Sequence, residues 1–230
     1  MAETVANSLV SVRRLIDEVA ARQWEDLSLR RWLWEGTQDV ARRTWCMRGT
    51  TDVVIAQGAQ TSTVPATIFK IEDVLWLPGG GDLRELPLEG RPYHIFNRVR
   101  AQNPAITGTP MMYTLFGTAP TLSIRVFPTP YQASTLRLYG ALVPAPWDFV
   151  APSPIDTVKT LEIPDGWTDL AVNYCAMRAM LADKDASGTG WQTFANLYEA
   201  QLAELKMHAA YETYADEVVP VYSNYGYDDD

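Results

Sequence analysis

The sequence predicts an α+β fold. A four-helix bundle is formed by N- and C-terminal helical pairs, an antiparallel β barrel or sandwich is inserted between them, and an extended tail follows. Three observations carry this. Apolar residues recur at helical spacing in the first 45 residues and again beyond residue 164. Between Asp52 and about Leu161 that period vanishes, β-branched and aromatic runs replace it, and 13 of the 15 prolines fall there. After about residue 214 neither period survives. The expected divisions are 1–50 with 160–214 as the bundle, 51–159 as the β insert and 215–230 as the arm.

In the first helix Val5, Leu9, Val12, Ile16 and Val19 share one face, with Arg13, Arg14, Asp17 and Glu18 off it. "QWEDLS" interrupts the period, and Asp26 is an apt N-cap. The second helix then aligns Leu29, Trp32, Leu33, Gly36 and Val40, while Arg30, Arg31, Arg42 and Arg43 face elsewhere. So short a connection implies an antiparallel hairpin of helices.

The middle contains "VVIA", "TSTVPATIFKIEDVLWL", "MMYTLFG", "LSIRVF" and "TLRLYGALV", read as five to seven strands. "GRPYHIFNRVRAQNP" fits either an irregular turn or a short helix. In "LSIRVFPTPYQASTLRLYG", Leu122, Ile124 and Val126 alternate along one strand and Leu136, Leu138 and Gly140 along the next. Pro128 and Pro130 lack N–H donors, so they end the first strand and stiffen a corner, and "YQAS" makes the turn. Tyr131 at that tip is a candidate contact residue for a partner.

Helix returns at "IPDGWTDLAVNYCAMRAMLADKD", with Asp165 as the expected cap and Trp167, Leu170, Ala171, Tyr174, Met177 and Leu181 on its period. "ASGTG" breaks it, and a last helix from Gly190 to Tyr214 turns Trp191, Phe194, Leu197, Tyr198, Leu202 and Leu205 inward. Neither helical pair can bury its apolar face alone, which is why all four are expected in one bundle.

The chain has 230 residues, 47% of them hydrophobic, enough for one or two cores. Its net charge of -9 makes it a poor general binder of nucleic acid, because phosphate contacts need Lys and Arg. That charge is uneven. Residues 1–50 carry eight Arg against seven acids, whereas residues 160–230 carry three bases against 13 acids. Cys46 and Cys175 sit in no CxxC and are expected as free thiols. The N-terminus lacks a signal peptide's basic-then-apolar order, and no apolar run approaches 18 residues, so no membrane is expected.

The motifs of catalysis are missing. There is no GxxxxGK[ST], no GxGxxG and no GxSxG; "PGGGD" reads as a loop tip. His94 and His208 have no partner at metal-ligand spacing. Glu72 and Asp73 are neighbours on a predicted strand and point to opposite faces, Asp183 and Asp185 mark a polar helix end, and Asp228–Asp230 a solvated terminus. No catalytic, cofactor or metal residue is therefore assigned. The strongest charge feature is the arginine pairs Arg13/Arg14, Arg30/Arg31 and Arg42/Arg43. One reading is solvated helix faces pairing with Asp17, Glu35 and Asp39; the other is contact with the acidic C-terminal segment of a neighbouring copy. In the tail, Val219, Val221, Tyr222, Tyr225 and Tyr227 are apolar and aromatic anchors for a partner, another protein or a neighbouring copy.

"LIDEVAARQWEDLSLRRWLWEGTQDVARR" carries Trp24, Leu29, Trp32, Leu33, Glu35 and Gly36, with Trp34 departing from the pattern. "GTPMMYTLFGTAPTLSIRVFPTP" carries Gly108, Pro110, Tyr113, Gly117, Leu122, Ile124, Val126, Pro128 and Pro130. With "VPATIFKIEDVLW", "LEIPDGWTDLAVNYCAMRAMLADKD" and "FANLYEAQLAEL", this ordered series over about residues 8–208 resembles phage head–tail adaptor (connector, or tail-tubular-like) ring proteins. The resemblance implies a helical bundle carrying a β barrel or sandwich. It also implies a structural virion protein with no enzymatic activity and no cofactor, acting as a twelve-membered ring of its own copies. Such a ring joins the portal protein to a downstream tail or nozzle protein and passes double-stranded DNA through its lumen. Other neck components (stopper, collar or tail terminator) are the structural alternative. A hydrolase would need facing carboxylates, for which Glu72, Asp73 and Asp156 are the residues to test.

Overall fold

The computed structural model describes residues 3–18, 23–79, 84–118, 121–145, 147, 159–183 and 190–217, with 211–217 as backbone only. The fold is α+β. In chain order it runs α1 (Val5–Leu15), α2 (Asp26–Thr44), β1 (Arg48–Ile55), β2 (Thr61–Thr63), β3 (Ile68–Leu77), β4 (Leu86–Pro87) and β5 (Glu89–Gly90). There follow α3 (Tyr93–Gln102), β6 (Thr107–Gly108), β7 (Met112–Phe116), β8 (Ser123–Phe127), β9 (Thr129–Pro130), β10 (Ser134–Leu142), α4 (Asp169–Ala182) and α5 (Gly190–Glu217).

The helical periods translate into burial with three corrections, and Leu181 and Leu197, expected on the apolar faces of the last two helices, are exposed. Val5, Leu9 and Val12 of α1 are buried as expected; Val19 lies outside the described residues. Arg13 is the first correction. It is 9% exposed, not solvated, and its Nη2 donates to the Trp24 carbonyl at 3.0 Å and to the Asp26 carboxylate. Its Nη1 lies 3.3 Å from Glu18 Oε2. Second, α2 takes Glu25 as its N-cap, which leaves Asp26 in the first turn, where it faces Arg13. Third, α4 begins four residues beyond Asp165, with Thr168 at its N-cap position; the Thr168 hydroxyl donates to Glu3 Oε2 at 2.8 Å.

α4 lies between α2 and α5 and also touches α1. One apolar cluster joins them through Val12, Leu33, Val40, Leu170, Cys175 and Leu202. Gly36 permits the close α2–α4 approach, since a Cβ there would sit 3.1 Å from Tyr174. The returning chain meets the start of the protein directly. Thr4 bridges Thr160, the Val5 N–H donates to Lys159 O at 2.9 Å, and the Leu161 N–H donates to Glu3 O at 3.0 Å.

The strands form three sheets ordered β1-β10-β3-β4, β2-β8-β7-β5 and β6-β9. None closes into a barrel, and two pairs, β5 with β7 and β6 with β9, are parallel, against the all-antiparallel expectation. The strands outnumber the expected five to seven because two-residue segments pair across loops. The two larger sheets share one core, with Val53, Val74, Trp76 and Leu138 from the first and Ile124 and Val126 from the second.

β8 and β10 do not form a hairpin. The Pro128–Pro130 corner moves the chain from the second sheet into the centre of the first, where β10 pairs on both sides. Both prolines are buried there. Along β10, Tyr139 faces Asp73 and Gly140 faces Ile71, so Glu72 is the extra residue of a bulge. Gly140 is required by that crowding, because a Cβ would lie 1.9 Å from the Lys70 carbonyl oxygen. The ambiguous segment after Pro92 is a helix, α3, anchored by fully buried Phe96 edge-on to Phe127 with centroids 6.4 Å apart.

Two outcomes follow. Gly140→Ala should lower unfolding free energy by about 2–3 kcal/mol in urea denaturation. Arg13→Ala should cost about 3 kcal/mol, because it removes the ion-pair partner of the largely buried Glu18 carboxylate, and Arg13→Met together with Glu18→Gln should cost less than the single change.

Candidate functional site

The six arginines expected at subunit contacts have different fates. Arg13 is internal, as described. Arg31 pairs with Glu35 one turn on at 3.4 Å, and Glu35 also lies 3.7 Å from Arg178 of α4. Arg43 makes a two-pronged bond to Glu199 of α5, at 2.8 and 2.7 Å, and lies 3.5 Å from Asp39. The Arg31–Glu35 and Arg43–Asp39 pairs are those of the solvated-face reading, and the acidic C-terminal helix meets Arg43 within the chain. Arg30 is half-buried; Arg14 and Arg42 are exposed. Arg42 edges an apolar cavity of about 390 Å³ with Val64, Pro65, Ile68, Phe69 and Val143, at the seam between α2 and the sheets.

Burial and the Asp39 hydrogen bond both push the Tyr198 phenol well above its ordinary range. The Arg43 hydrogen bonds hold Glu199 below the usual carboxylate range. On the sheet side, Asp52 and Arg137 stand opposite each other on β1 and β10, and Arg137 also reaches Glu85 at 2.6 Å. The Arg137 hydrogen bonds lower the Asp52 carboxyl in the same way. Arg48 and Lys70 pair with Glu72 at 3.3 and 3.2 Å, so that carboxylate is engaged in ion pairs.

A basic cleft that sequence reading missed lies on the other sheet. It has a volume of about 460 Å³ and is lined by Tyr93, Asn97, Arg100 and Pro104 of the α3 region and by Arg125 of β8. The Arg91 N–H donates to Tyr113 O before α3, and the Thr129 N–H donates to Ile106 O after it, each near 3 Å, which fixes the helix on the sheet. Arg125 stacks on Phe116 at 4.7 Å, and Tyr93 leans on the same ring at 5.9 Å. Hydrogen bonding to Asn97 and the charges of Arg125 and Arg100 hold the Tyr93 phenol below its ordinary range. The signal was present in the sequence. From Gly90 to Trp147 there is no Asp or Glu, yet five Arg, in a chain of net charge -9.

Tyr131 is 53% exposed in the turn between β9 and β10. The tail anchors Val219, Val221, Tyr222, Tyr225 and Tyr227, and also Asp156, lie outside the described residues. His94 sits exposed on α3 and His208 on α5, 6.3 Å from the Trp167 ring. Cys46 and Cys175 are free; burial raises both thiols, Cys175 far above its ordinary range. Among the described residues no three His, Cys, Asp or Glu form a metal-holding group, and no helix is long and apolar enough to cross a membrane.

The chain is thus an α+β body with ion pairs between its elements and a separate arginine cleft on one sheet. The SU10 adaptor protein family matches residues 4–221, and the chain belongs to that family. No curated protein matches the chain. A solved structure titled "Neck of empty GTA particle computed with C6 symmetry" aligns at 12% identity over 86% of this chain and 92% of that one, with a TM-score of 0.29.

The Arg43–Glu199 pair is solvent-screened and worth about 0.5 kcal/mol. Because the folded Glu199 pKa is depressed, that stability is present at neutral pH and lost as pH falls through the lowered pKa. Glu199→Gln should therefore shift the urea midpoint at pH 7, with the shift shrinking below the ordinary glutamate range of about 4.3.

Proposed function

We propose that the chain is an adaptor subunit whose copies form a ring, twelve in number, between the portal at the capsid vertex and the downstream tail or nozzle protein. The ring encloses part of the channel through which double-stranded DNA leaves. The observation that carries this is membership of the adaptor family across residues 4–221. In this reading residues 1–50 and 160–214 act as one four-helix bundle, residues 51–159 as the inserted domain, and residues 215–230 as an arm. The protein resides in the virion neck after synthesis in the host cytoplasm and performs no catalysis.

Physical properties support the role. A closed ring joins two unlike faces of each subunit, and the chain's charge is unequally divided between its ends. A net charge of -9 suits a channel wall past which DNA slides without sticking. The arm, through Val219, Val221, Tyr222, Tyr225 and Tyr227, docks on the portal or a neighbouring subunit; Arg14 and Arg42 lie at subunit contacts; Tyr131 touches the next tail component.

A reconstruction of the tailed particle should place the chain directly below the portal; placement further down, at the stopper or terminator level, overturns the adaptor assignment. Removing residues 216–230 should abolish attachment to portal-bearing heads while the circular dichroism spectrum is kept, and unimpaired attachment would sink the role of the arm.

A further inference from the structure

The cleft between α3 and β8 has the chemistry of an anion receptor. Neither Arg100 nor Arg125 has a carboxylate within 4.0 Å among the described residues, and the Arg100 Nε is buried without a hydrogen-bond partner. Arg125 directs its Nε to Thr61 Oγ1 at 3.3 Å and rests its plane on Phe116. Two guanidinium groups lining one cleft repel each other, and buried donors left unmade carry a desolvation cost. A carboxylate relieves both, since it accepts paired N–H bonds from a planar guanidinium.

The rest of the cleft favours a peptide over DNA. Phosphate tracking needs cations spread along a surface on a chain that does not repel DNA, whereas here two arginines converge within a protein of net charge -9. Beside the arginines stand the half-exposed Tyr93 ring and Phe116, an aromatic surface adjoining the charge. The last residues of the chain, Tyr225-Gly226-Tyr227 followed by Asp228-Asp229-Asp230, present aromatics and carboxylates in that same adjacency.

We infer that the α3–β8 cleft receives the C-terminal Tyr-Asp segment of a second copy of this chain. Asp228–Asp230 carboxylates bond Arg100 and Arg125, and Tyr225 or Tyr227 packs on the Tyr93–Phe116 face. The 13 residues after Glu217 span at most about 45 Å. This assignment rests on the ring reading above, because a repeating tail-to-cleft contact is heterologous and such contacts build rings where the rotation closes. It differs from the portal docking of the arm by naming a receptor on the protein itself.

The test uses the full chain carrying Asp228→Asn, Asp229→Asn and Asp230→Asn as receptor and a fluorescent peptide of residues 216–230 as ligand, read by anisotropy. The peptide should bind, and a peptide with the three aspartates changed to Asn should bind at least tenfold more weakly. Arg100→Gln and Arg125→Gln should each weaken the acidic peptide at least tenfold with thermal unfolding unchanged. Asn97→Asp, which puts a carboxylate into the cleft, should do the same. The inference is overturned by equal binding of the acidic and neutral peptides, by indifference to all three cleft substitutions, or by no binding at all. It is overturned too if a DNA duplex binds in an Arg100- and Arg125-dependent manner and displaces the peptide. If the unmodified chain at high dilution excludes a peptide that the Asn receptor accepts, the occupant is the chain's own tail and the second-copy assignment fails. Attachment to portal-bearing heads is a separate readout: attachment without peptide binding leaves the ring reading standing and removes the cleft.

Discussion

The apolar stripe of α2 finds its principal cover in α4, more than a hundred residues away in the chain. α1 touches α2 lightly, and the Arg13 ion pairs hold that junction with charge as well as apolar contact. α2 is sealed only when Tyr174 comes down on Gly36 and Leu170 and Cys175 join Leu29 and Leu33. The constraint dictates the rest. A chain that must return to its first helices after leaving them has to place whatever lies between on a loop whose ends are adjacent, and the Thr4–Thr160 bridge marks that closure. Trp34 extends the same logic, its indole N–H donating to Ala145 O at 3.3 Å where β10 gives way to the returning segment.

Within the sheets the controlling element is β10. Among the described residues it is the only strand of the first sheet with long partners on both sides, and it is reached by a corner and not by a hairpin. Pro128 and Pro130 end one sheet's strand and release the chain toward the other. Gly140 then lets the bulge at Glu72 press against β10, and the bulge turns the Glu72 carboxylate toward Arg48 and Lys70. The Glu72 carboxylate is thereby taken up in ion pairs across the sheet.

How much was legible depended on the range of the interaction. The periods of α1, α2, α4 and α5 are local properties of the chain, so Leu9, Leu33, Leu170 and Leu202 were assigned inward correctly. α3 was ambiguous because it buries one residue, Phe96, and one residue makes no period. Two-residue parallel pairings such as Thr107 with Thr129 have no local signature. Arg13 was misplaced because periodicity sorts residues by polarity, and a buried cation satisfied by Glu18 and Asp26 breaks that sorting. The arms of the arginine cleft, Arg100 and Arg125, are brought together by folding, yet the acid-free run from Gly90 to Trp147 marked the region in advance.

Charge then separates what is internal from what is offered outward. Arg13, Arg31, Arg43 and Arg137 each have a carboxylate of the same chain within 4.0 Å, so their cost of desolvation is already met and they bring little to a partner. Arg100 and Arg125 have no carboxylate within 4.0 Å among the described residues, and both fall in the acid-free stretch from Gly90 to Trp147. The chain's own excess carboxylates lie at its opposite end, in residues 160–230. An acidic protein that keeps one strongly basic cleft against that net charge pays electrostatic self-repulsion among the arginines unless something anionic occupies it. A second copy of the chain would bring such acid at equal concentration, which is what the proposed tail-to-cleft contact draws on.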